Sequence, residues 1–170
     1  MLSRRSLLWT AAALTVPVEI RPAAAELPLP TDKPILAITG RISIKNKDDA
    51  AVFDRPMLEN LGMYTLETST PWYNGRVRFE GIRMQRLMQA VGADGDKVIA
   101  YALNDYSTEI PISDFTQYEV LLALKRDGQY MSVRDKGPLF IVYPYDSRPE
   151  LKHQKYYSRS AWQVARMVVK

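Results

Sequence analysis

Residues 70–92 read TPWYNGRVRFEGIRMQRLMQAVG, and the second half of this stretch has the clearest helix pattern in the chain. Four apolar residues recur there at positions i, i+3, i+4 and i+7, namely Met84, Leu87, Met88 and Val91. This spacing places them on one face of a helix, and Gly92 follows where helices commonly end. Before the helix, Pro71-Trp72-Tyr73-Asn74-Gly75 is typical of a turn. The stretch therefore predicts a turn with two aromatic side chains, followed by an amphipathic helix.

The rest of the chain is predicted to be mainly β-strand. Residues typical of strands, bounded by turn residues, occur at 35–38, 42–44, 98–103, 109–112, 119–125, 129–134, 139–143 and 162–169. Asp127-Gly128 joins two of these runs as a two-residue hairpin turn. A second helix is predicted to begin at Asp54, ahead of Pro56, and to end at Gly62. This pattern indicates one α+β domain over residues 26–170.

Residues 1–25 have the pattern of an export signal. Arg4-Arg5 precede an apolar run over residues 7–18, and Ala23-Ala24-Ala25 follow. These are the charged, apolar and small-residue parts of a secretory signal peptide. The paired arginines also resemble a twin-arginine signal, with Sec export as the alternative. We therefore expect residues 26–170 to be the mature, periplasmic protein, without a membrane-spanning segment.

The composition excludes several kinds of chemistry. The 170-residue chain has no cysteine and a single histidine, so it has no disulfide, no thiol nucleophile and no thiolate-ligated metal. Its formal net charge is only +4, and half of that charge lies in the predicted export signal. No block of Lys and Arg remains in the mature chain, so nucleic acid is not an expected partner.

Catalytic motifs such as a phosphate-binding loop, a paired-His metal helix or a nucleophile elbow do not occur in the sequence. His153 lies in a polar segment and is expected to be solvated. Three segments instead combine aromatic, hydroxyl and charged side chains: residues 68–75, residues 104–107, and residues 143–148 with 156–162. Each has an ordinary explanation as a turn or as aromatic packing. Together they offer the rings and carboxylates that a flat heteroaromatic ligand needs.

The order of several short motifs resembles the oxidoreductase molybdopterin-binding domain of the sulfite oxidase family. The motifs are Thr70-Pro71-Trp72, Phe79-Glu80-Gly81-Ile82, Leu103-Asn104-Asp105-Tyr106-Ser107, Ile110-Pro111-Ile112-Ser113-Asp114, Arg126-Asp127-Gly128, Gly137-Pro138-Leu139 and Arg159-Ser160-Ala161-Trp162. The resemblance extends over nearly all of residues 26–170 and is strongest for small, exported, stand-alone versions of the domain. It implies a single α+β domain of sulfite-oxidase type, with a mixed β-sheet and a few short helices.

The resemblance also implies a function. In the large enzymes of the family a cysteine ligates molybdenum, and the corresponding stretch here is Glu67-Thr68-Ser69-Thr70, which has no thiol. Hydroxyl groups do not replace a soft thiolate at such a metal. Some small members bind a metal-free pterin in the periplasm and act on a membrane-bound enzyme that controls cyclic-di-GMP. The resemblance therefore implies a non-catalytic sensor of a neopterin or tetrahydropterin, without molybdenum.

The expected pterin-binding residues are Trp72, Asn104, Asp105, Tyr106, Tyr145, Asp146, Arg159, Ser160 and Trp162. The two tryptophans are expected to form aromatic walls, with either of the two tyrosines as a replacement for one of them. Asp146, or else Asp105, is expected to pair with the amino-pyrimidinone edge of the pterin. Asn104, Arg159 and Ser160 are expected to form a polar rim.

Two alternative functions remain: a molybdenum oxidoreductase with a non-cysteine ligand, and an interaction domain whose cofactor pocket is filled by side chains.

Overall fold

Two five-stranded sheets form the frame of residues 26–170, which the computed structural model describes. In chain order the strands are β1 (Leu36–Gly40), β2 (Ala51–Phe53), β3 (Tyr64–Thr70), β4 (Tyr73–Arg83), β5 (Lys97–Ala102), β6 (Ser107–Pro111), β7 (Leu121–Arg126), β8 (Gln129–Tyr130), β9 (Phe140–Val142) and β10 (Val164–Val169). The helices are α1 (Arg55–Asn60), α2 (Met84–Ala90), α3 (Ile112–Gln117) and α4 (Gln154–Arg159), with 3₁₀ turns at residues 133–135 and 149–151. The predicted α+β class is confirmed.

The first sheet has the order β2-β1-β10-β5-β6. β1 and β10 pair in parallel, with Ile38 opposite Met167, whereas the other neighbours are antiparallel. The sheet is therefore mixed, as the family resemblance implies. Along β5 buried residues alternate with half-buried ones, so that Val98, Ala100 and Ala102 point to the core.

The second sheet is antiparallel, with the order β3-β4-β7-β8 and with β9 also paired to β7. β7 begins with four consecutive buried residues, 121–124, as expected of a strand covered on both faces. β4 passes so close to β7 at Gly81 that a Cβ there would collide with the carbonyl oxygen of Leu122. Only glycine fits at this crossing.

Both predicted helices are present. Asp54 caps α1 by accepting a hydrogen bond from the backbone N–H of Met57 at 2.9 Å. α2 ends before Gly92, whose φ of +56° is the left-handed conformation that glycine adopts easily. α3 and α4 were not predicted from sequence, because each has only six residues and is too short to show a clear apolar period.

The strands differ from the prediction chiefly in four places. β2, at residues 51–53, was not predicted, because it has only three residues. The turn predicted at residues 71–75 is shorter in the structure, because β4 already begins at Tyr73. Only residues 71 and 72, which link β3 to β4, form a turn. β3 lies at a sheet edge and is largely exposed, so its sequence lacks apolar alternation. The run at residues 42–44 forms only an isolated bridge between Ile42 and Ala93. The run at 129–134 shortens to β8 and a 3₁₀ turn.

One hydrophobic cluster includes buried side chains from both sheets and from the helices. Ile38 and Met167 belong to it from the first sheet, and Phe79 and Phe140 from the second. Leu87, on the predicted apolar face of α2, is fully buried in the same cluster. A single core of this kind holds the two sheets in one domain and fixes the loops that connect them.

None of the helices within residues 26–170 is long and apolar enough to cross a membrane. The predicted export signal, residues 1–25, lies outside the described residues. Export and periplasmic location therefore stay predictions from the sequence.

Candidate functional site

A cavity of about 380 Å³ opens where three segments, far apart in the sequence, come together. The first is the β3–β4 turn, the second is the end of β5 with the turn after it, and the third is α4 with the residues that follow. The lining residues are Pro71, Trp72, Ala102, Asn104, Tyr106, Gln154, Tyr157, Ser158, Ser160, Ala161 and Trp162. Residues from each of the three segments named in the sequence analysis thus meet at one cavity, although residues 143–148 of the third do not line it. The volume of the cavity suits a small-molecule ligand.

Three aromatic side chains of the cavity, Trp72, Trp162 and Tyr157, pack edge to face and form an aromatic corner. The ring centroids of Trp72 and Trp162 are 5.4 Å apart, and the ring planes make an angle of 85°. Tyr157 meets Trp72 in the same edge-to-face manner, at 6.1 Å and 77°. Rings in contact at right angles leave no slot between them, so the two tryptophans are not parallel walls. A flat ligand would stack on one ring and meet the other with its edge.

A buried hydroxyl pair lies behind this corner. Ser160 is 3% exposed, and its Oγ donates to the carbonyl oxygen of Tyr156 at 3.0 Å. A serine hydroxyl has one proton, so the hydroxyl of Tyr145, which is bonded to the same Oγ, must be the donor of that bond. Burial raises the pKa of Tyr145 far above its ordinary value, which keeps this donor protonated. Ser160 retains an acceptor lone pair for a group in the cavity.

The turn after β5 reaches across the cavity to α4. The hydroxyl of Tyr106 donates to the backbone oxygen of Ser158 at 2.9 Å, although the two residues are 52 positions apart. The side-chain oxygen of Asn104 accepts from the backbone N–H of Tyr106 at 3.3 Å, which steadies the turn. The Tyr106 oxygen can still accept, and the Asn104 amide can still donate, toward a ligand.

Asp146 does not line the cavity. Its Oδ2 accepts from the backbone N–H of Ser69 at 2.7 Å, and its Oδ1 lies 2.9 Å from Nζ of Lys152. The Ser69 hydroxyl donates to Oδ1 at 2.5 Å. The hydrogen bonds from Ser69 and Lys152 hold the pKa of Asp146 well below its usual range. The carboxylate expected to pair with the ligand instead joins β3 to the residues after β9.

Arg159 also points away from the cavity. Its Nη1 lies 2.7 Å from Oδ2 of Asp114, and the hydroxyl of Tyr143 donates to the same oxygen at 2.6 Å. Asp114 is only 6% exposed, so this pair is nearly buried. A buried carboxylate needs a cationic partner, and this need explains why the guanidinium turns inward rather than toward the expected polar rim.

Two further expected residues lie beside the cavity rather than in its wall. Asp105 is exposed in the turn after β5, and its φ of +64° shows a turn conformation that Asp tolerates. Tyr145 is 1% exposed and supports Trp72 and Tyr157 from behind, with ring centroids 6.3 and 5.2 Å away. The cavity wall therefore contains five of the nine expected residues: Trp72, Asn104, Tyr106, Ser160 and Trp162.

Half of the lining residues that were not expected come from α4. Gln154, Tyr157 and Ser158 are spaced i, i+3 and i+4, so a helix presents them on one face. This spacing was visible in the sequence, but it becomes informative only once the helix is known. His153 is exposed, and its Nδ1 accepts from the backbone N–H of Lys155, which caps α4.

The stretch that corresponds to the family's metal ligand lies in β3. The Oγ1 of Thr68 accepts from the backbone N–H of Asp146 at 3.0 Å, and the Ser69 hydroxyl is bonded to the Asp146 carboxylate. Within residues 26–170 no cluster of three or more His, Cys, Asp or Glu side chains is placed to hold a metal ion. With no cysteine in the chain, these donors do not fit a thiolate-ligated molybdenum.

Comparison with known families identifies the domain. The family model of the oxidoreductase molybdopterin-binding domain matches residues 57–146, which are more than half of the chain. The chain therefore belongs to the oxidoreductase molybdopterin-binding domain family. The match includes the two cavity segments around Trp72 and Asn104 and ends before α4. The family suggested by the sequence motifs is thus confirmed.

Comparison with solved structures supports the fold. The crystal structure of the sulfane dehydrogenase SoxCD from Paracoccus pantotrophus superposes with a TM-score of 0.55 at 15% sequence identity. The similarity covers 79% of this chain but only 37% of the SoxCD chain. At this identity the likeness establishes a sulfite-oxidase-type fold. No curated protein sequence matches the chain.

Proposed function

We propose that this protein binds a metal-free pterin in the periplasm and acts as a sensor rather than as an enzyme. The observation that carries the proposal is the cavity lined by Trp72, Tyr106 and Trp162, in a domain of a molybdopterin-binding family. Aromatic faces and neutral hydrogen-bonding groups surround it, and a flat heteroaromatic ring needs both kinds of group.

The polar groups of the cavity complement the edge of a pterin. A pterin donates from its amino group and a ring N–H, and it accepts at its carbonyl oxygen. Ser160 and Tyr106 offer acceptors, and the amide of Asn104 offers a donor. Each neutral hydrogen bond contributes about 0.5–1.5 kcal/mol, and stacking on Trp162 adds about 0.5–1.5 kcal/mol beyond area burial. These contributions add to the burial of the flat ring in the cavity, and with that burial we expect micromolar binding without a carboxylate.

The absence of cysteine supports the non-catalytic part of the proposal. A redox centre of this family type requires a soft ligand from the protein, and the hydroxyls of Thr68 and Ser69 are hard donors. Both hydroxyls are also already hydrogen-bonded within the structure. Metal ligation by either hydroxyl would compete with the hydrogen bonds that Thr68 and Ser69 form with Asp146.

The signalling part of the proposal rests on the family resemblance. We expect the loaded protein to contact the periplasmic domain of a membrane-bound enzyme that controls cyclic-di-GMP. The ligand would then set the activity of that enzyme through its effect on this protein.

Calorimetric titration of the purified protein with neopterin and tetrahydroneopterin tests the binding. We expect a dissociation constant in the micromolar range or below for at least one of them, and Trp162→Ala should weaken binding about tenfold or more. Tyr130→Ala is the matched control, because Tyr130 is an exposed aromatic residue on β8 outside the cavity. Absence of heat and of any thermal shift at millimolar ligand would overturn the proposal.

Cyclic-di-GMP levels in the host test the sensor role. Deletion of the gene and Trp162→Ala at equal protein level should change the cyclic-di-GMP level in the same direction, whereas Tyr130→Ala should leave it as in wild type. If neither deletion nor Trp162→Ala changes it, the sensor role is wrong even where pterin binding is measured.

A molybdenum oxidoreductase is the second candidate. The family name and the fold shared with SoxCD, a dehydrogenase, favour it. Elemental analysis of protein purified from its own host separates the two candidates. Stoichiometric molybdenum would overturn the non-catalytic proposal.

A further inference from the structure

We propose that the cavity selects pterins with an uncharged, hydroxylated side chain over phosphorylated pterins. This inference rests on the proposed function and narrows it to one chemical class of ligand. It follows from the uncharged side chains of the cavity wall and from the contacts of the cationic side chains nearby.

The cavity wall contains no charged side chain among the residues that the structure describes. Its polar members are amides and hydroxyls, contributed by Asn104, Gln154 and Ser158 on the outer side and by Ser160 deeper in. A phosphate placed among neutral groups loses its hydration without gaining a cationic partner, and this loss is costly. A hydroxyl placed there exchanges its hydrogen bonds with water for similar bonds with the wall.

Cationic side chains on the segments beside the cavity contact other groups. Lys155, next to Gln154 on α4, places its Nζ 5.1 Å from the ring centroid of Tyr156. Arg159 binds the buried Asp114, and Lys152 binds Asp146. Lys136 places its Nζ over two rings, 4.7 Å from the centroid of Tyr73 and 5.3 Å from that of Trp162. Lys136 does not line the cavity, and its ammonium group already contacts these two ring faces.

The exposed side of the cavity suits a chain of hydroxyls. Gln154 and Ser158 lie on the same face of α4, both exposed, and Asn104 lies on the turn opposite. Amide and hydroxyl groups can each donate and accept, so they can follow the alternating donors and acceptors of a polyhydroxylated side chain. A pterin whose ring stacks at Trp162 would direct its side chain toward this rim.

A matched pair of ligands tests the inference. The purified protein is titrated calorimetrically with 7,8-dihydroneopterin and with 7,8-dihydroneopterin triphosphate in the same buffer. We expect the triphosphate to bind at least about tenfold more weakly. Equal or tighter binding of the triphosphate would overturn this inference and leave the proposed function standing. Failure of both ligands and of tetrahydroneopterin to bind would instead overturn the proposed function.

Variants at the rim test the electrostatic cause. Gln154→Lys adds an exposed cation to the wall and should reduce the preference to less than about threefold, in a salt-dependent manner. Gln154→Met, of similar size but uncharged, should retain the preference. If Gln154→Lys leaves the preference for 7,8-dihydroneopterin unchanged, the charge of the wall does not set that preference.

Lys136→Met tests the nearby ammonium group. Weaker triphosphate binding in this variant, with 7,8-dihydroneopterin unaffected, would show that Lys136 supplies a cation and would also overturn the inference.

Discussion

Nη1 of Arg159 lies 2.7 Å from Oδ2 of Asp114, and this ion pair fastens α4, one wall of the cavity, to α3. The side chains of the pair are 17% and 8% exposed, so water screens them little. The hydroxyl of Tyr143 donates to the same carboxylate oxygen. Burial, reinforced by the bond to Asp114, raises the pKa of Tyr143 far above its ordinary value and keeps it a donor.

Arg159→Met should destabilise the protein by about 3 kcal/mol, because it leaves the Asp114 carboxylate buried without a cation. Urea unfolding measures the change. The control is Arg148→Met, because Arg148 is exposed and has only weak contacts, a 3.8 Å pair with Glu150 and a guanidinium 5.6 Å from the ring centroid of Tyr118. The double variant Asp114→Asn/Arg159→Met should lose less than the sum of the two single changes. Equal, small losses for Arg159→Met and Arg148→Met would contradict the role of the pair.

Asp146→Asn should remove a pH-dependent contribution to stability. The pKa of Asp146 is lower in the folded state, so its ionised form stabilises the fold above the unfolded pKa of about 4. This contribution is lost as the pH falls below that value toward the folded pKa. At pH 7 we expect the variant to be less stable by about 0.5–1.5 kcal/mol, because solvent screens a carboxylate that is 25% exposed and asparagine keeps one acceptor oxygen.

The measurement is urea unfolding of both proteins from pH 7 to pH 3. The difference in unfolding free energy should shrink across the lower part of this range. Asp94→Asn is the control, because Asp94 is 92% exposed in its pair with Arg41, and its difference should stay near zero throughout. A difference for Asp146→Asn that stays constant down to pH 3 would show that ionisation is not the cause.

Tyr106→Phe should weaken pterin binding without unfolding the protein. The change removes the bond to the backbone oxygen of Ser158 and an acceptor at the cavity, while the ring remains. Loss of one neutral hydrogen bond corresponds to about a threefold to tenfold weaker dissociation constant. Because the hydroxyl bridges two sides of the cavity, stopped-flow measurements should place most of the change in a faster dissociation rate. Ligand affinity equal to that of wild type would exclude a ligand contact at the Tyr106 hydroxyl.

The sequence predicted the parts of the site that depend on local composition. Trp72 and Asn104 lie in turns rich in aromatic and polar residues, and the family motifs include both. The direction of Arg159 was not predictable, because it depends on a buried carboxylate 45 positions away. Asp146 is a similar case, since its partner Ser69 belongs to an edge strand that lacks apolar alternation. Tertiary pairing of charges therefore decided the direction of Arg159 and Asp146.

Ser160→Ala should lower both stability and ligand affinity, for separable reasons. Without the serine oxygen, the buried hydroxyl of Tyr145 loses its acceptor, which costs about 1–3 kcal/mol of unfolding free energy. Tyr145→Phe removes the unsatisfied hydroxyl, so the double variant Ser160→Ala/Tyr145→Phe should recover most of this stability. It should not recover ligand affinity, because the acceptor that Ser160 presents to the cavity is still missing. Chemical unfolding and calorimetric titration of the three variants distinguish these effects. If the double variant binds the pterin as tightly as wild type, Ser160 supports the wall and does not contact the ligand.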